Sequence, residues 1–230
     1  MERGLYIAAS GMLAEMVRQD QIANDLANAS TPGYKADRAT QKSFGDILLA
    51  NTTNDQVVGP LGLGSRIDSI VTDATPAPVR DTGEPLDFAV TGEGWFKVQT
   101  PQGTRYTRNG QFQVSPQGTL EDSLGNQVMG RNGGPVRAQA NGSYDPTQVG
   151  VFNLANPRKI GDSYVTGTAG GQAQGTVRVG ALEASNASTS RSMVDMIASF
   201  RAYEAGQRVI RTIDSTLQKA ANTVGTKPGA

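Results

Sequence analysis

The two ends of this chain carry apolar residues at the spacing of a coiled coil, and this pattern constrains the fold more than any other. Near the C-terminus one set repeats at intervals of seven residues and a second set takes the alternate coiled-coil spacing: Met196, Tyr203, Ile210, Leu217 and Val224, then Met193, Phe200 and Ala221. Near the N-terminus the corresponding frames hold Leu5, Met12 and Leu26, then Ala9, Met16 and Ala23, with Gln19 interrupting.

Neither helix can bury such a stripe alone, so we expect the ends to pair with each other or with the ends of neighbouring copies. A hairpin of two helices within one chain, without any further partner, is the alternative. The positions that we expect to carry assembly are named the apolar seam: Leu5, Met12, Met16, Ala23, Leu26, Met196, Phe200, Tyr203, Ile210 and Leu217.

The composition excludes most catalytic and ligand-binding classes. The 230 residues include no histidine and no cysteine, so Ser-His, Cys-His, histidine-metal and thiolate-metal arrangements cannot be built. Lys and Arg together number 21, the same as Asp and Glu, so there is no net basic charge to attract nucleic acid. The glycine clusters lack the Lys-Ser/Thr ending of a phosphate loop. We therefore expect no enzyme activity, no cofactor, no metal and no nucleic-acid partner.

The N-terminal apolar stretch does not have the features of a membrane or secretion signal. No apolar run approaches the roughly 18 residues of a membrane span. The stretch from Leu5 to Ala14 is soon followed by Glu15, Arg18 and Asp20, and its helical spacing continues past any plausible cleavage site. We expect neither membrane insertion nor a cleaved signal peptide.

Helix signals and turn signals divide the chain into three parts. The first helix is predicted from about Arg3 to Asn28, because Pro32 and Gly33 prevent its continuation. The last helix is predicted to start among the serines of residues 185–192 and to reach about Asn222. The expected fold is α+β: paired N- and C-terminal coiled-coil helices form an inner domain, and a central all-β domain is inserted between them.

The predicted boundaries follow from these signals. The terminal helical domain comprises residues 1–35 and 183–230, and the central β domain comprises residues 81–182. Residues 36–80 are rich in glycine and proline and are predicted to be an extended connector, with a short helix-like piece from Phe44 to Leu49. Because the hairpins of the central domain are local, we expect it to fold without the ends.

The central region consists of short β-prone runs separated by turn residues at roughly ten-residue spacing. The runs cover residues 86–90, 94–100, 104–114, 125–130, 149–154, 164–165 and 176–179. Within the third run, Asn109-Gly110 is a hairpin signal that could also mark a bulge.

The remaining chemical candidates have ordinary structural interpretations. Carboxylates could pair as in glycosidases, for example Asp81 or Glu84 with Asp87, or Glu121 with Asp122, but turn-rich β domains commonly carry such residues in loops. Trp95 and Phe96 could stack on a sugar ring if they were exposed. Their position inside a strand run favours a place in the core instead.

Three strings resemble known signatures. The string SGMLAEMVRQDQIANDLANASTPGYKAD, from Ser10 to Asp37, resembles the N-terminal signature of bacterial flagellar rod and hook proteins. The string LDFAVTGEGWFKVQTPQGTRYTRNGQFQVSPQG resembles the central β signature of the same family, and the tail from Gly180 to Lys219 resembles its C-terminal helix motif. The signature residues that we carry over from this resemblance are Asn24, Asn28, Gly33, Tyr34, Arg108, Gly110, Leu182, Glu183, Ser185 and Asn186.

The resemblance implies a structural subunit of the flagellar rod, because the chain lacks the large outer domain of a hook subunit, and it favours the distal-rod type over the proximal-rod type. It implies a helical homopolymer that surrounds the export channel and transmits torque from motor to hook. The implied partners are copies of the same chain, neighbouring rod and hook subunits, the flagellar export apparatus and the basal-body ring proteins. The implied location is the basal body, spanning the envelope on its periplasmic side after export without a cleaved signal.

Two other classes remain as alternatives. One is an envelope accessory protein that binds or cleaves peptidoglycan through Trp95 and a carboxylate pair. The other is a generic extracellular fibre or adhesin.

Overall fold

The structure is a computed structural model that describes residues 2–45, 47–50, 57–139, 144–161 and 163–225. Two helices and fifteen strands lie along these residues. The chain forms two compact units. Unit 1 contains residues 1–24, 39–71 and 190–230, and unit 2 contains residues 25–38 and 72–189.

The terminal helices form as the sequence predicts, and in unit 1 they contact each other. Helix α1 spans Glu2–Ala27 and helix α2 spans Thr189–Gly225. Gly4 of α1 lies beside Ile213 of α2, and the buried Ser199 hydroxyl donates to Glu15 Oε2 at 2.6 Å. Since residue numbers rise along one helix as they fall along the other, the two helices run antiparallel.

The predicted connector contains regular strands, which corrects the expectation of an irregular extended path over residues 36–80. Its strands are β1 (Asp37–Phe44), β2 (Ile47–Ala50), β3 (Val57–Leu61), β4 (Gly64–Thr72) and β5 (Val79–Asp81). β1 pairs with β4 and β2 pairs with β3. In the piece expected to be helix-like, Phe44 ends β1 and residues 47–49 belong to β2. Residues 46 and 51–56 of this region, like residues 226–230 of the terminal domain, lie outside the described residues.

The rest of unit 2 is all β. Its strands are β6 (Phe88–Thr91), β7 (Trp95–Thr100), β8 (Gly103–Thr107), β9 (Phe112–Val114), β10 (Leu120–Asp122), β11 (Gln127–Met129), β12 (Val151–Ile160), β13 (Tyr164–Gln172), β14 (Thr176–Val179) and β15 (Ala181–Glu183). Seven of these strands pair in the order β12-β13-β8-β7-β11-β10-β9, and β12 also pairs with β7. This extra pairing closes β7, β8, β13 and β12 into a small barrel.

The main core of unit 2 is built from side chains of β6, β7, β10 and β11. Phe88, Phe96, Val98, Leu120 and Val128 are fully buried in one cluster. The Phe96 and Phe112 rings meet edge to face at 5.2 Å, a favoured aromatic geometry. Trp95 is 5% exposed and packs in a second cluster with Tyr106 and Val165. The prediction that Trp95 and Phe96 belong to the core is confirmed.

The hairpin expected at Asn109-Gly110 does not form, and this segment crosses the unit instead. The preceding strand β8 pairs with β7 and β13, whereas the following strand β9 pairs with β10. Gly110 lies against β6, where its carbonyl accepts the Phe88 N–H at 3.0 Å. A Cβ at residue 110 would lie 1.6 Å from the Phe88 carbonyl oxygen, so close backbone approach explains the glycine.

The glycines of the helix pair provide a stability test of unit 1. A Cβ at Gly11 would meet its nearest neighbour, Ser65 Oγ, at 4.0 Å, whereas a Cβ at Gly206 would lie 2.7 Å from Met12 Cγ. Gly11→Ala should therefore raise the stability of unit 1 by about 1 kcal/mol through helix propensity. Gly206→Ala should gain less or lose stability, because Met12 must move. Thermal unfolding followed by helical circular dichroism measures both, and equal gains would contradict this helix pairing.

Candidate functional site

The three signature segments meet at one buried junction in unit 2. The Glu183 carboxylate accepts from Lys35 Nζ at 2.5 Å through Oε1 and from Arg108 NH1 at 2.8 Å through Oε2. All three side chains are at most 2% exposed. We call these three residues the Glu183 junction. Its members come from the N-terminal, central and C-terminal signatures, so it joins parts of the chain that are far apart in sequence.

Backbone geometry brings the three side chains together. Lys35 follows the turn that ends α1, in which the Thr31 N–H donates to the Asn28 carbonyl at 3.1 Å. Gly33 has φ of 66°, and a Cβ there would lie 2.2 Å from the carbonyl carbon of Arg108. Only glycine fits both the left-handed conformation and the close approach. Glu183 ends β15, which pairs with β5 and is buried throughout.

Arg108 has further partners inside the unit. Its NH2 donates to the Gly92 carbonyl at 2.9 Å, and its guanidinium carbon lies 5.4 Å from the centre of the Trp95 ring. Its Nε is buried without a hydrogen-bond partner among the described residues. The packing on Trp95 matches the preference of guanidinium groups for aromatic faces.

The junction holds two cations and one carboxylate, so its charges do not cancel. Burial lowers the pKa of the Lys35 ammonium, and the neighbouring Glu183 carboxylate opposes this shift. Further acceptors compensate for the excess charge, since Lys35 Nζ also donates to the Thr75 carbonyl at 2.7 Å. The Glu183 carboxylate also accepts the Ala77 N–H at 2.9 Å. The Glu183 carboxylate therefore forms ion pairs with both Lys35 and Arg108.

A second polar network lies at the end of α1. The Tyr34 hydroxyl donates to Asp25 Oδ1 at 2.8 Å, and the Lys159 ammonium lies 3.6 Å from the centre of the Tyr34 ring. Lys159 also donates to the Lys35 carbonyl at 2.9 Å and lies 3.4 Å from Asp37 Oδ2. Burial raises the pKa of the Asp25 carboxyl, although its bonds with Tyr34 and Asp37 and the charge of Lys159 act in the opposite direction.

The other signature residues support these segments in different ways. Asn186 Oδ1 accepts the Ala36 N–H at 2.6 Å, and its Nδ2 donates to the Asp73 carbonyl at 2.8 Å. Asn28 Oδ1 accepts from the Thr31 hydroxyl, and Ser185 Oγ accepts the Ala187 N–H. Leu182 is buried in β15, whereas Asn24 lies exposed on α1.

Sequence analysis identifies most of these residues individually but does not predict the contacts between them. Lys35 is part of the N-terminal signature string, yet nothing in the sequence assigns it to Glu183. Asp25, Asp37, Asp73 and Lys159 were not singled out at all. The strand Ala181–Glu183 places Glu183 after two apolar residues, but this pattern alone does not identify a cationic partner.

The apolar seam is divided equally between exposed and half-buried positions. Leu5, Met16, Ala23, Phe200 and Leu217 are exposed. The half-buried members are Met12, Leu26, Met196, Tyr203 and Ile210. A groove in unit 1 is lined both by small residues and by larger apolar ones, including Gly4, Ala8, Gly206, Ile7, Met12 and Val209. Along the described residues, no three acidic side chains form a group that could hold a metal ion.

The unequal charges of the junction predict unequal costs for its variants. Glu183→Gln leaves two buried cations without their carboxylate and should lower the free energy of unfolding of unit 2 by about 3 to 5 kcal/mol. Lys35→Met leaves Arg108 and Glu183 as a balanced pair and should cost under about 2 kcal/mol. Urea unfolding followed by emission of Trp95, the chain's single tryptophan, measures both. A Lys35→Met variant that is the less stable of the two would contradict this charge account.

The raised pKa of Asp25 predicts a pH dependence with a defined sign. Folding favours the neutral carboxyl, so its stabilising contribution is complete below the unfolded pKa of about 3.9 and is lost as pH rises through the folded pKa. Asp25→Asn should therefore gain stability relative to the native chain as pH rises from about 4 to 7. Asp73, whose pKa is lowered chiefly by its bond with the Thr75 hydroxyl, is the matched control. The stability that Asp73 contributes is lost as pH falls below about 4, so Asp73→Asn should show the opposite trend at the acidic end of the same urea titrations.

Comparison with known families assigns all three signatures. Residues 5–35 match the family model described as Flagella basal body rod protein. Residues 89–179 match Flagellar hook protein FlgE/F/G D1 domain, and residues 178–223 match Flagellar basal body rod FlgEFG protein C-terminal. Lys35, Arg108 and Glu183 each lie in a different one of these three matches.

Relatives match the chain over nearly its whole length. Flagellar basal-body rod protein FlgG of Bacillus subtilis is 30% identical, and the match covers 96% of this chain and 99% of the relative. FlgG of Agrobacterium fabrum is 30% identical over 92% of this chain and 95% of the relative. Flagellar basal-body rod protein FlgF of Mesorhizobium japonicum is 30% identical, and the match covers 99% of this chain and 100% of the relative. On this similarity, and with all three signatures in their expected order, the chain belongs to the flagellar basal-body rod protein family.

Proposed function

We propose that this chain is a structural subunit of the flagellar rod. The observation that carries the proposal is the near-complete match to rod proteins, combined with two helices whose large apolar side chains lie largely exposed in the single chain. Such side chains on long helices are typical of surfaces that other protein covers. A structural role also agrees with a composition that cannot build histidine- or cysteine-based catalysis.

The exposed apolar side chains of the two helices are the proposed assembly surface. On α1 they are Leu5, Tyr6, Ile7, Leu13, Met16 and Val17. On α2 they are Met193, Val194, Ile197, Phe200, Val209 and Leu217. We name these twelve residues the exposed helix faces. All twelve are exposed in the single chain and so remain available to other subunits.

We infer that copies of this chain polymerise helically through these faces, with the helices lining the export channel. In this arrangement the shaft passes torque from motor to hook through packed non-covalent contacts. Each fully buried large apolar side chain contributes about 1.5 to 3 kcal/mol, so repeating the contact along the shaft gives a strong interface. The β domain is the proposed outer layer.

The further proposed partners are neighbouring rod and hook subunits, the flagellar export apparatus and the basal-body rings. The proposed location is the basal body on the periplasmic side of the envelope, reached without a cleaved signal. None of the described helices combines the length and the apolar character that crossing a bilayer requires. The choice of the distal-rod over the proximal-rod type stays a prediction, because relatives named FlgG and FlgF both reach 30% identity.

The structure gives no support to a peptidoglycan-binding or peptidoglycan-cleaving role through Trp95 or Asp122. Trp95 lies in the core and under the Arg108 guanidinium, so its ring is not free to stack on a sugar. Asp122 is buried, and its Oδ1 accepts the N–H groups of Leu124 and Asn126, both at 2.9 Å. These bonds give the Asp122 carboxylate a structural role in the β10–β11 turn.

Charge substitutions on α2 test the assembly surface. Phe200 is 60% exposed, so Phe200→Asp should leave the thermal unfolding of the single chain unchanged. In a dry interface the new carboxylate costs several kcal/mol, so ordered polymers and motility should be lost. Leu217→Asp should behave in the same way.

Gln218→Asp is the matched control, because it adds the same charge next to Leu217 at an exposed polar position. We expect it to sediment as a polymer and to support swimming. Normal motility of cells that carry Phe200→Asp would exclude this helix face as an assembly surface.

A further inference from the structure

The chain passes between its two units after residues 24, 38, 71 and 189. On the unit 2 side of these passages, the segments are bonded to one another. The Asp73 N–H donates to the Ala36 carbonyl at 2.8 Å, and the Thr72 hydroxyl donates to Asp37 Oδ1 at 2.7 Å. Residues 33–37 therefore lie where several segments begin or end in unit 2, and they are hydrogen-bonded to one of these segments at residues 72 and 73.

The first and last segments of unit 2 run side by side in the same direction. The Gly33 N–H donates to the Glu183 carbonyl at 2.8 Å, and the Asn186 N–H donates to the Tyr34 carbonyl at 3.2 Å. The Ala36 N–H donates to Asn186 Oδ1 at 2.6 Å. Residue numbers rise together along the two segments, so they are parallel.

This parallel arrangement determines how the bonds respond to tension. A pull on the N-terminus draws residues 33–36 backward along their own direction, whereas a pull on the C-terminus draws residues 183–186 forward. The two segments are then sheared past each other, and the bonds between them must break together, not one after another. The buried ion pair of Lys35 with Glu183, at 2.5 Å, crosses the same interface.

We propose that residues 33–36 and 183–186 form a mechanical clamp that carries tension applied to the chain ends. The strands between residues 72 and 182 lie behind this clamp in the chain, so they bear no tension until it breaks. The clamp therefore shields both the barrel and the main apolar core of unit 2 from force. This property belongs to the single chain and does not depend on polymerisation, so its test is independent of the proposed function.

Force spectroscopy on the full chain, with handles at both termini, tests the clamp. Asn186→Ala removes the side-chain bonds to Ala36 and Asp73. The control, Val128→Ala, removes buried volume from the main apolar core of unit 2, away from the clamp. At constant force, Asn186→Ala should shorten the lifetime of folded unit 2 by about tenfold or more, the factor that two ordinary hydrogen bonds contribute. Val128→Ala should shorten it far less for the same shift in urea midpoint.

The comparison also holds if one variant is too unstable to study. Trp95 emission reports whether each variant is folded. Lys35→Met is the second clamp variant, and Val98→Ala is the second core variant. The proposal would be overturned if the clamp variants shortened the lifetime under force only as much as core variants with the same shift in urea midpoint. Release of the barrel strands in a step that precedes rupture of the clamp would also overturn it.

Discussion

The structure of unit 2 depends on one carboxylate with two cationic partners. Glu183 is separated by 148 residues from Lys35 and by 75 from Arg108, yet all three side chains are buried within one hydrogen-bonded group. Burying an ion costs several kcal/mol unless partners replace its hydration. Removing Glu183 therefore leaves two buried cations without their carboxylate, so this one side chain fixes the geometry of three distant segments together.

This dependence changes what counts as a domain in the chain. The compact unit is larger than the predicted residues 81–182, because residues 25–38, 72–80 and 183–189 also belong to it. A fragment limited to residues 81–182 would bury Arg108 without Glu183, which argues against the expectation that this region folds without the flanking segments. Closing such long loops costs entropy before the contacts form, so this topology favours slow folding.

The features predicted best from the sequence are those with a local cause. The ends of α1 follow from heptad spacing and from Pro32-Gly33, and most central strands follow from alternating runs bounded by turns. The strands of residues 37–81 were missed because β1 pairs with β4 across a long separation, which local propensity cannot show. The hairpin predicted at Asn109-Gly110 was wrong for the same reason. Its signal is local, whereas the glycine is required because the backbone at residue 110 closely approaches Phe88. The Glu183 junction was unpredictable in detail, since a sequence reveals charged residues but not their partners.

Buried polar contacts and exposed apolar faces have complementary roles in this chain. Hydrogen bonds and ion pairs are directional, so the junction specifies one arrangement of distant segments at little net gain in stability. Apolar burial is non-directional and strong, so large side chains left exposed on α1 and α2 hold free energy that only another subunit can realise. If these large residues filled the contact between α1 and α2, the single chain would be more stable but would have less to gain from assembly. Leu13, Val194 and Phe200 are 63%, 65% and 60% exposed, so much of this apolar surface stays open in the single chain, and this division suits a subunit of a larger assembly.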